Sequence, residues 1–305
     1  MQEVLTVLTQ VGILVFVVAG MAAMGLSLTV AAIVGPLRDA RLLVGVLVAN
    51  FVVVPVVAVL AANLLPMDDA STAAVILIGT CAGAPFLPTL AGLAKADQAT
   101  AVGVMVLLMV LTVAFAPVVV PLVLQGATVA AWDIASSLII YMLVPLALGL
   151  VVRARYPDLA VHIVGGFRRA STAGLAIGIV SGLLVTWREV LGSVGSWVFV
   201  GTLLVLAVGF GAGWLAGTGR VASDRPLLGL GTAQRNVSAA LVIAASIGGD
   251  AMVRTLVAAL VVPIVLIVVA GEIGKHSQPA ATPERPSTPA THPSPEPGTD
   301  QGTSS

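Results

Sequence analysis

"LLGLGTAQRNVSAALVIAAS", residues Leu227 to Ser246, is the stretch whose reading decides the fold. Its ends are as apolar as a membrane helix, yet its middle holds Gln234, Arg235 and Asn236. A guanidinium at the centre of a bilayer costs about 2.5 to 3.5 kcal/mol on insertion scales, so an idle one is rare. Arg235 therefore caps carbonyls of a broken helix, contacts an anion, or compensates charge in some other way. An ion pair is not expected, because no predicted span interior contains Asp or Glu.

The rest of the chain supplies the setting. It is 58% hydrophobic and 9% charged, with a mean hydropathy of +1.10. Soluble domains carry about 25% charged residues, so the composition places the chain in a bilayer. The net charge is zero, which argues against nucleic acid as a partner and against recruitment of a substrate by bulk charge. A single cysteine, Cys81, excludes an internal disulfide framework and a Cys-rich metal cluster. His162 falls in a predicted cytoplasmic connection, while His276 and His292 lie at or in the C-terminal tail. No nucleophile with a base, and no metal cluster, is placed inside the membrane, so no enzyme activity and no cofactor are expected.

Polar punctuation divides the chain into nine segments of about 20 or more apolar residues, the length a bilayer core demands. They run about 4–30, 40–64, 71–94, 98–124, 133–153, 170–186, 196–216, 226–247 and 250–272. The first apolar run follows no Lys or Arg and continues past residue 24, so it reads as a retained span. Residues 277–305 contain seven prolines and no Val, Ile, Leu, Phe or Met, the composition of a disordered tail. The expected organisation is a transmembrane domain over 1–276 followed by that tail.

Cations set the orientation. Alternate connections carry Arg38, Arg41, Lys95, Arg153, Arg155, Arg168, Arg169, Arg220, Arg225, Lys275 and Arg285, and the opposite set carries only Arg188 and Arg254. Eleven against two predicts an external N-terminus and a cytoplasmic C-terminus in the plasma membrane. Trp132, Trp187 and Trp197 lie near predicted outer boundaries, as interfacial anchors do. Gly174, Gly178 and Gly182, and again Gly209, Gly213 and Gly217, form small-residue stripes suited to close helix packing.

Two spans are interrupted. The third, "GTCAGAPFLPTLAGLAKAD", places Pro85 and Pro88 at mid-depth behind Gly79 and Gly83. Proline removes a backbone donor and clashes with the preceding turn. The eighth carries Gly229, Gly231 and the Gln-Arg-Asn run. Pro85 precedes Asp97 by 12 residues and Ser238 precedes Asp250 by 12, so the interruptions correspond in two halves that enter the bilayer in opposite directions. Paired interruptions of this kind point to an inverted-repeat secondary transporter, with half-helix ends facing the solute.

At these residues the chain resembles the bile acid:sodium symporter family. The resemblance spans about 14–272 and includes "MAAMGLSLTVAAI", "GVLVANFVVVPVVAVLAANLLP", "LIGTCAGAP" through "LAKAD", and "GTAQRNVSAALVIA". It implies a panel domain of spans 1, 5 and 6 and a core domain of spans 2, 3, 4, 7, 8 and 9. The discontinuous third and eighth spans would cross within an all-α polytopic fold of nine helices, and the unpaired fifth span reflects a missing first helix. Substrate would occupy the crevice beside the crossing, with Arg235, Asn236, Gln234, Pro85 and Thr89 as candidate contacts, and sodium would be centred on the crossing.

The chain departs from the family pattern where sodium ligands are expected. Leu87 and Pro88 stand in place of a Ser-Asn pair, and Gly231 in place of a glutamate. Thr80, Thr112, Thr232, Gln234 and Ser238 remain as candidate cation ligands, with Thr89, Asn236 and backbone carbonyls. The expected function is a secondary active transporter of a small organic anion, coupled to Na+ or H+. Two other readings stay open: an efflux permease of the related arsenite-exporter type, and a membrane sensor.

Overall fold

The computed structural model describes residues 2–29, 39–124, 131–192, 195–219 and 224–276. The tail expected to be disordered lies outside them. Among the described residues all regular structure is helical. The helices are α1 (Gln2–Ser27), α2 (Ala40–Leu64), α3 (Asp69–Thr80), α4 (Leu87–Leu93), α5 (Gln98–Val123), α6 (131–155), α7 (Pro157–Gly192), α8 (Val198–Ala216), α9 (Asp224–Ala233), α10 (Val237–Ile247) and α11 (Gly249–His276).

Seven of these are long and apolar enough to cross a membrane: α1, α2, α5, α6, α7, α8 and α11. The segments read as the third and eighth spans are not single helices. Each is a pair of short helices, α3 with α4 and α9 with α10, flanking a non-helical stretch at 81–86 and at 234–236.

The first break has an identifiable cause. Gly83 adopts φ +76°, a left-handed conformation that ends a right-handed helix and suits glycine. Pro88 then sits in the first turn of α4, where its missing N–H costs nothing. The second break contains no proline. There Asn236 adopts non-helical angles and caps α10 by accepting from the Ala239 N–H at 3.0 Å.

The sixth expected span needs correction. The segment 153–169, read as a basic connection, is almost wholly helical: α6 runs to Arg155 and α7 begins at Pro157. Pro157 is compatible with a first helical position, Asp158 suits the N-terminal dipole, and nothing downstream breaks the helix. At 36 residues α7 is about 54 Å long, well beyond a bilayer core.

α2 and α6 each contain a π-helical turn, at Ala49–Val53 and Ile139–Leu143. Each precedes a proline, Pro55 or Pro145, whose missing N–H frees the carbonyl four residues earlier. The turn in α2 carries Asn50, which is fully buried.

α1 packs against α6 and α7, whereas α3 packs against α2 and α11, and α8 against α9. Both glycine stripes serve packing. A Cβ on Gly12 would fall 2.6 Å from the Gly178 N, and one on Gly209 would fall 3.1 Å from the Thr232 carbonyl. Trp132, Trp187 and Trp197 are exposed, as anchors are.

Candidate functional site

The two interruptions meet. The backbone N–H of Asn236 donates to the Cys81 carbonyl at 2.9 Å, and its side-chain Nδ2 donates to the Gly83 carbonyl at 3.1 Å. Asn236 is fully buried. One residue thus caps α10 and ties both non-helical stretches together.

Arg235 is also 0% exposed. Its Nε donates to the Ile78 carbonyl at 3.0 Å and its Nη2 to the Gly79 carbonyl at 2.6 Å. Its Nη1 donates to the Thr232 carbonyl at 3.1 Å and to the Asn50 Oδ1 at 2.9 Å. All four acceptors are neutral. The guanidinium keeps its charge at any physiological pH, so the junction holds one positive charge in a low-dielectric setting where it acts strongly.

Asn50 completes the arrangement. Its Nδ2 donates to the Val46 carbonyl at 3.0 Å and to the Thr232 hydroxyl at 3.1 Å, while its Oδ1 receives Arg235. Sequence reasoning did not single it out. The available signal was a lone amide within the apolar run "LVANFVVVP". What could not be read was its partner, 185 residues away.

The candidate substrate contacts divide into two groups. Gln234, Arg235 and Asn236 are buried at the junction, whereas Pro85 is half-buried and Thr89 exposed. In this conformation Arg235 is enclosed and its donors are committed to protein oxygens.

Of the candidate cation ligands, Thr80, Thr112 and Thr232 serve local bonds. The Thr80 hydroxyl donates to the Ile76 and Leu77 carbonyls at 2.9 and 3.2 Å. The Thr112 hydroxyl clasps Ala82, accepting from its N–H and donating to its carbonyl, both at 3.0 Å. The Thr232 hydroxyl accepts from Asn50. Ser238 is buried in the first turn of α10. Gln234 Oε1 is buried with no hydrogen-bond partner among the described residues. Cys81 is fully buried at the junction, out of reach of a thiol-seeking solute in this conformation.

Comparison with known proteins places this architecture in a class of membrane transporters. The model of the sodium bile acid symporter family matches residues 13–213. The chain therefore belongs to that family, a family of sodium-coupled transporters, and is a multi-pass membrane protein. No curated protein matches it. The match ends within α8, before the second interruption, whereas the motif resemblance reached about residue 272. Arg235 lies outside the matched residues.

Proposed function

We propose that the chain is a secondary active transporter that moves a small organic anion across the plasma membrane by alternating access, coupled to a cation. The membrane is crossed nine times, with α3–α4 and α9–α10 as the discontinuous third and eighth spans crossing at their interruptions. A panel of α1, α6 and α7 moves against a core formed by the other helices. The packing of α1 on α6 and α7 supports that division.

One observation carries the anion reading: a buried guanidinium whose four partners are all neutral, held where two broken helices meet. A formal positive charge met only by carbonyl dipoles, with no carboxylate among its partners, attracts an anion that approaches the junction in a low-dielectric interior. Pro85, half-buried, and Thr89, exposed, would meet the solute first, with Gln234 and Asn236 buried behind them. Thr80, Thr112, Thr232, Gln234 and Ser238 are the side-chain oxygens nearest in sequence to the breaks from which a coupling cation would draw.

The external N-terminus and cytoplasmic C-terminus rest on the charge count, and two contacts agree with its grouping of residues by side. Asp68 and Arg254, both assigned outside, form an ion pair at 3.1 Å. Arg168, assigned inside, donates to the Ser27 hydroxyl at 2.9 Å.

Proteoliposomes test the proposal. Labelled pyruvate, pantothenate and taurocholate are offered under an imposed sodium gradient and then a proton gradient. Gradient-driven uptake of at least one, lost in Arg235→Ala, is expected. Undiminished uptake by that variant would remove the role given to Arg235.

A further inference from the structure

The carbonyls at the two helix ends carry an inference of their own. In an unbroken α3 the Ile78 carbonyl would receive the N–H of residue 82, and the Gly79 carbonyl that of residue 83. Here the Ala82 N–H goes to the Thr112 hydroxyl. An unbroken α9 would give the Asn236 N–H to the Thr232 carbonyl, but that N–H goes to Cys81. Three carbonyl oxygens at two helix C-termini are thereby released in the protein interior, where an unpaired acceptor is costly. Each C-terminus carries about half a negative charge, so a single monovalent cation matches the pair.

Asn50 Oδ1 adds a fourth oxygen. Three backbone carbonyls and one amide oxygen, with no carboxylate among them, form a donor set suited to an alkali ion, whose water shell neutral carbonyls can replace. Divalent ions favour carboxylates. The cation that meets these four oxygens is the side chain of Arg235, at 2.6 to 3.1 Å.

We propose that Arg235 is the resident cation of this junction, tethered where an alkali ion would otherwise bind, and that it closes the site at Ile78 O, Gly79 O, Thr232 O and Asn50 Oδ1 to sodium. The positive charge at the junction is then permanent and does not rise and fall with external sodium. Sodium coupled to transport binds at oxygens outside this set. The inference holds whatever the transported solute is.

Thermal unfolding of the purified full-length chain in detergent tests it, with NaCl exchanged for choline chloride at constant ionic strength. Arg235→Ala opens the site. It should be destabilised in choline and gain about 3 to 6 °C over the wild type's own sodium response once sodium reaches about ten times its dissociation constant. Millimolar methylguanidinium should restore Arg235→Ala in the same way and leave the wild type unmoved. An Arg235→Ala protein no more responsive than wild type to sodium, potassium and methylguanidinium overturns the proposal. Should that variant not fold in any of these salts, Arg235→Lys and Arg235→Gln decide. The lysine variant should be the more stable in choline, and the glutamine variant should close the gap as sodium rises. Equal stability of the two at every sodium concentration overturns the proposal as well.

Discussion

Nη2 of Arg235 lies 2.6 Å from the carbonyl oxygen of Gly79, 156 residues earlier in the chain. The bond joins the end of α3 to the break between α9 and α10, and it is the shortest of the four that hold the guanidinium. Much of what the junction does follows from it.

Removing the side chain leaves three carbonyls and one amide oxygen buried without a donor. In choline buffer Arg235→Ala is expected to be strongly destabilised, since each buried acceptor left without a donor costs about 1 to 3 kcal/mol. Arg235→Lys, which keeps the charge but not the planar fork, should cost less. Unfolding midpoints by intrinsic fluorescence, compared in one detergent, give the ranking.

Asn50→Asp converts a neutral partner of Arg235 into a carboxylate. The charge proposed to draw an anion is then neutralised at 2.9 Å while the steric volume is kept. Anion uptake should fall at least about tenfold, equivalent to about 1.4 kcal/mol of lost interaction. Retention of a sharp size-exclusion peak shows that folding is not the cause.

Gly83→Ala should be poorly tolerated. The residue has φ +76°, and a Cβ there would run into the Met109 N and lie 2.6 Å from the Leu108 carbonyl carbon. The expected loss is at least about 2 to 3 kcal/mol from strain and displacement. Gly166→Ala, whose Cβ would meet nothing within 4 Å, should be neutral or slightly stabilising. The two variants are compared by melting temperature.

Gln234→Leu addresses the unpartnered Oε1. A buried acceptor without a donor costs about 1 to 3 kcal/mol, so the leucine variant should melt higher. Transport should fall in the same variant, since a polar atom kept at a cost to stability serves the cycle. A lowered melting temperature would show that the amide oxygen is satisfied.

Asp68 governs acid behaviour at the predicted outer surface. Partial burial pushes its carboxyl up, but contacts with Ser71 and the Arg254 guanidinium outweigh that, holding it below its ordinary value of 3.8. A lowered folded-state value adds stability that is fully present above about pH 4 and is lost as pH falls through the folded value. Both side chains are partly solvated, so Asp68→Ala should cost only about 0.5 to 1 kcal/mol at pH 7. The difference from wild type should shrink as pH falls below 3.8 and through the lowered folded-state value, as read by denaturation at a series of pH values.

The apolar runs were legible because a bilayer sorts residues by chemistry alone, and the observed helices follow them within a few residues. The exception was 157–169, where charges suggested a loop. Arg168 and Arg169 are compatible with a helix that continues beyond the membrane, and local polarity does not distinguish the two cases. The interruptions were legible too, since Gly83 with Pro85 and Pro88 behind it disfavours a continuous helix and a polar triplet at mid-span needs partners. Asn50 was not, because one amide in an apolar span looks the same whether it faces lipid, a neighbour or a cavity.

The sequence by itself determined that the chain lies in a membrane, where most of its helices run, and that two of its apolar segments are interrupted. Those are properties of composition and local backbone chemistry, which neighbours in sequence suffice to impose. Only the tertiary structure decided that the breaks meet and that Arg235 spends its donors on Ile78, Gly79, Thr232 and Asn50. Three of those acceptors are backbone carbonyls, which every residue carries and no sequence distinguishes. Which of them a guanidinium finds depends on where distant helices end in space.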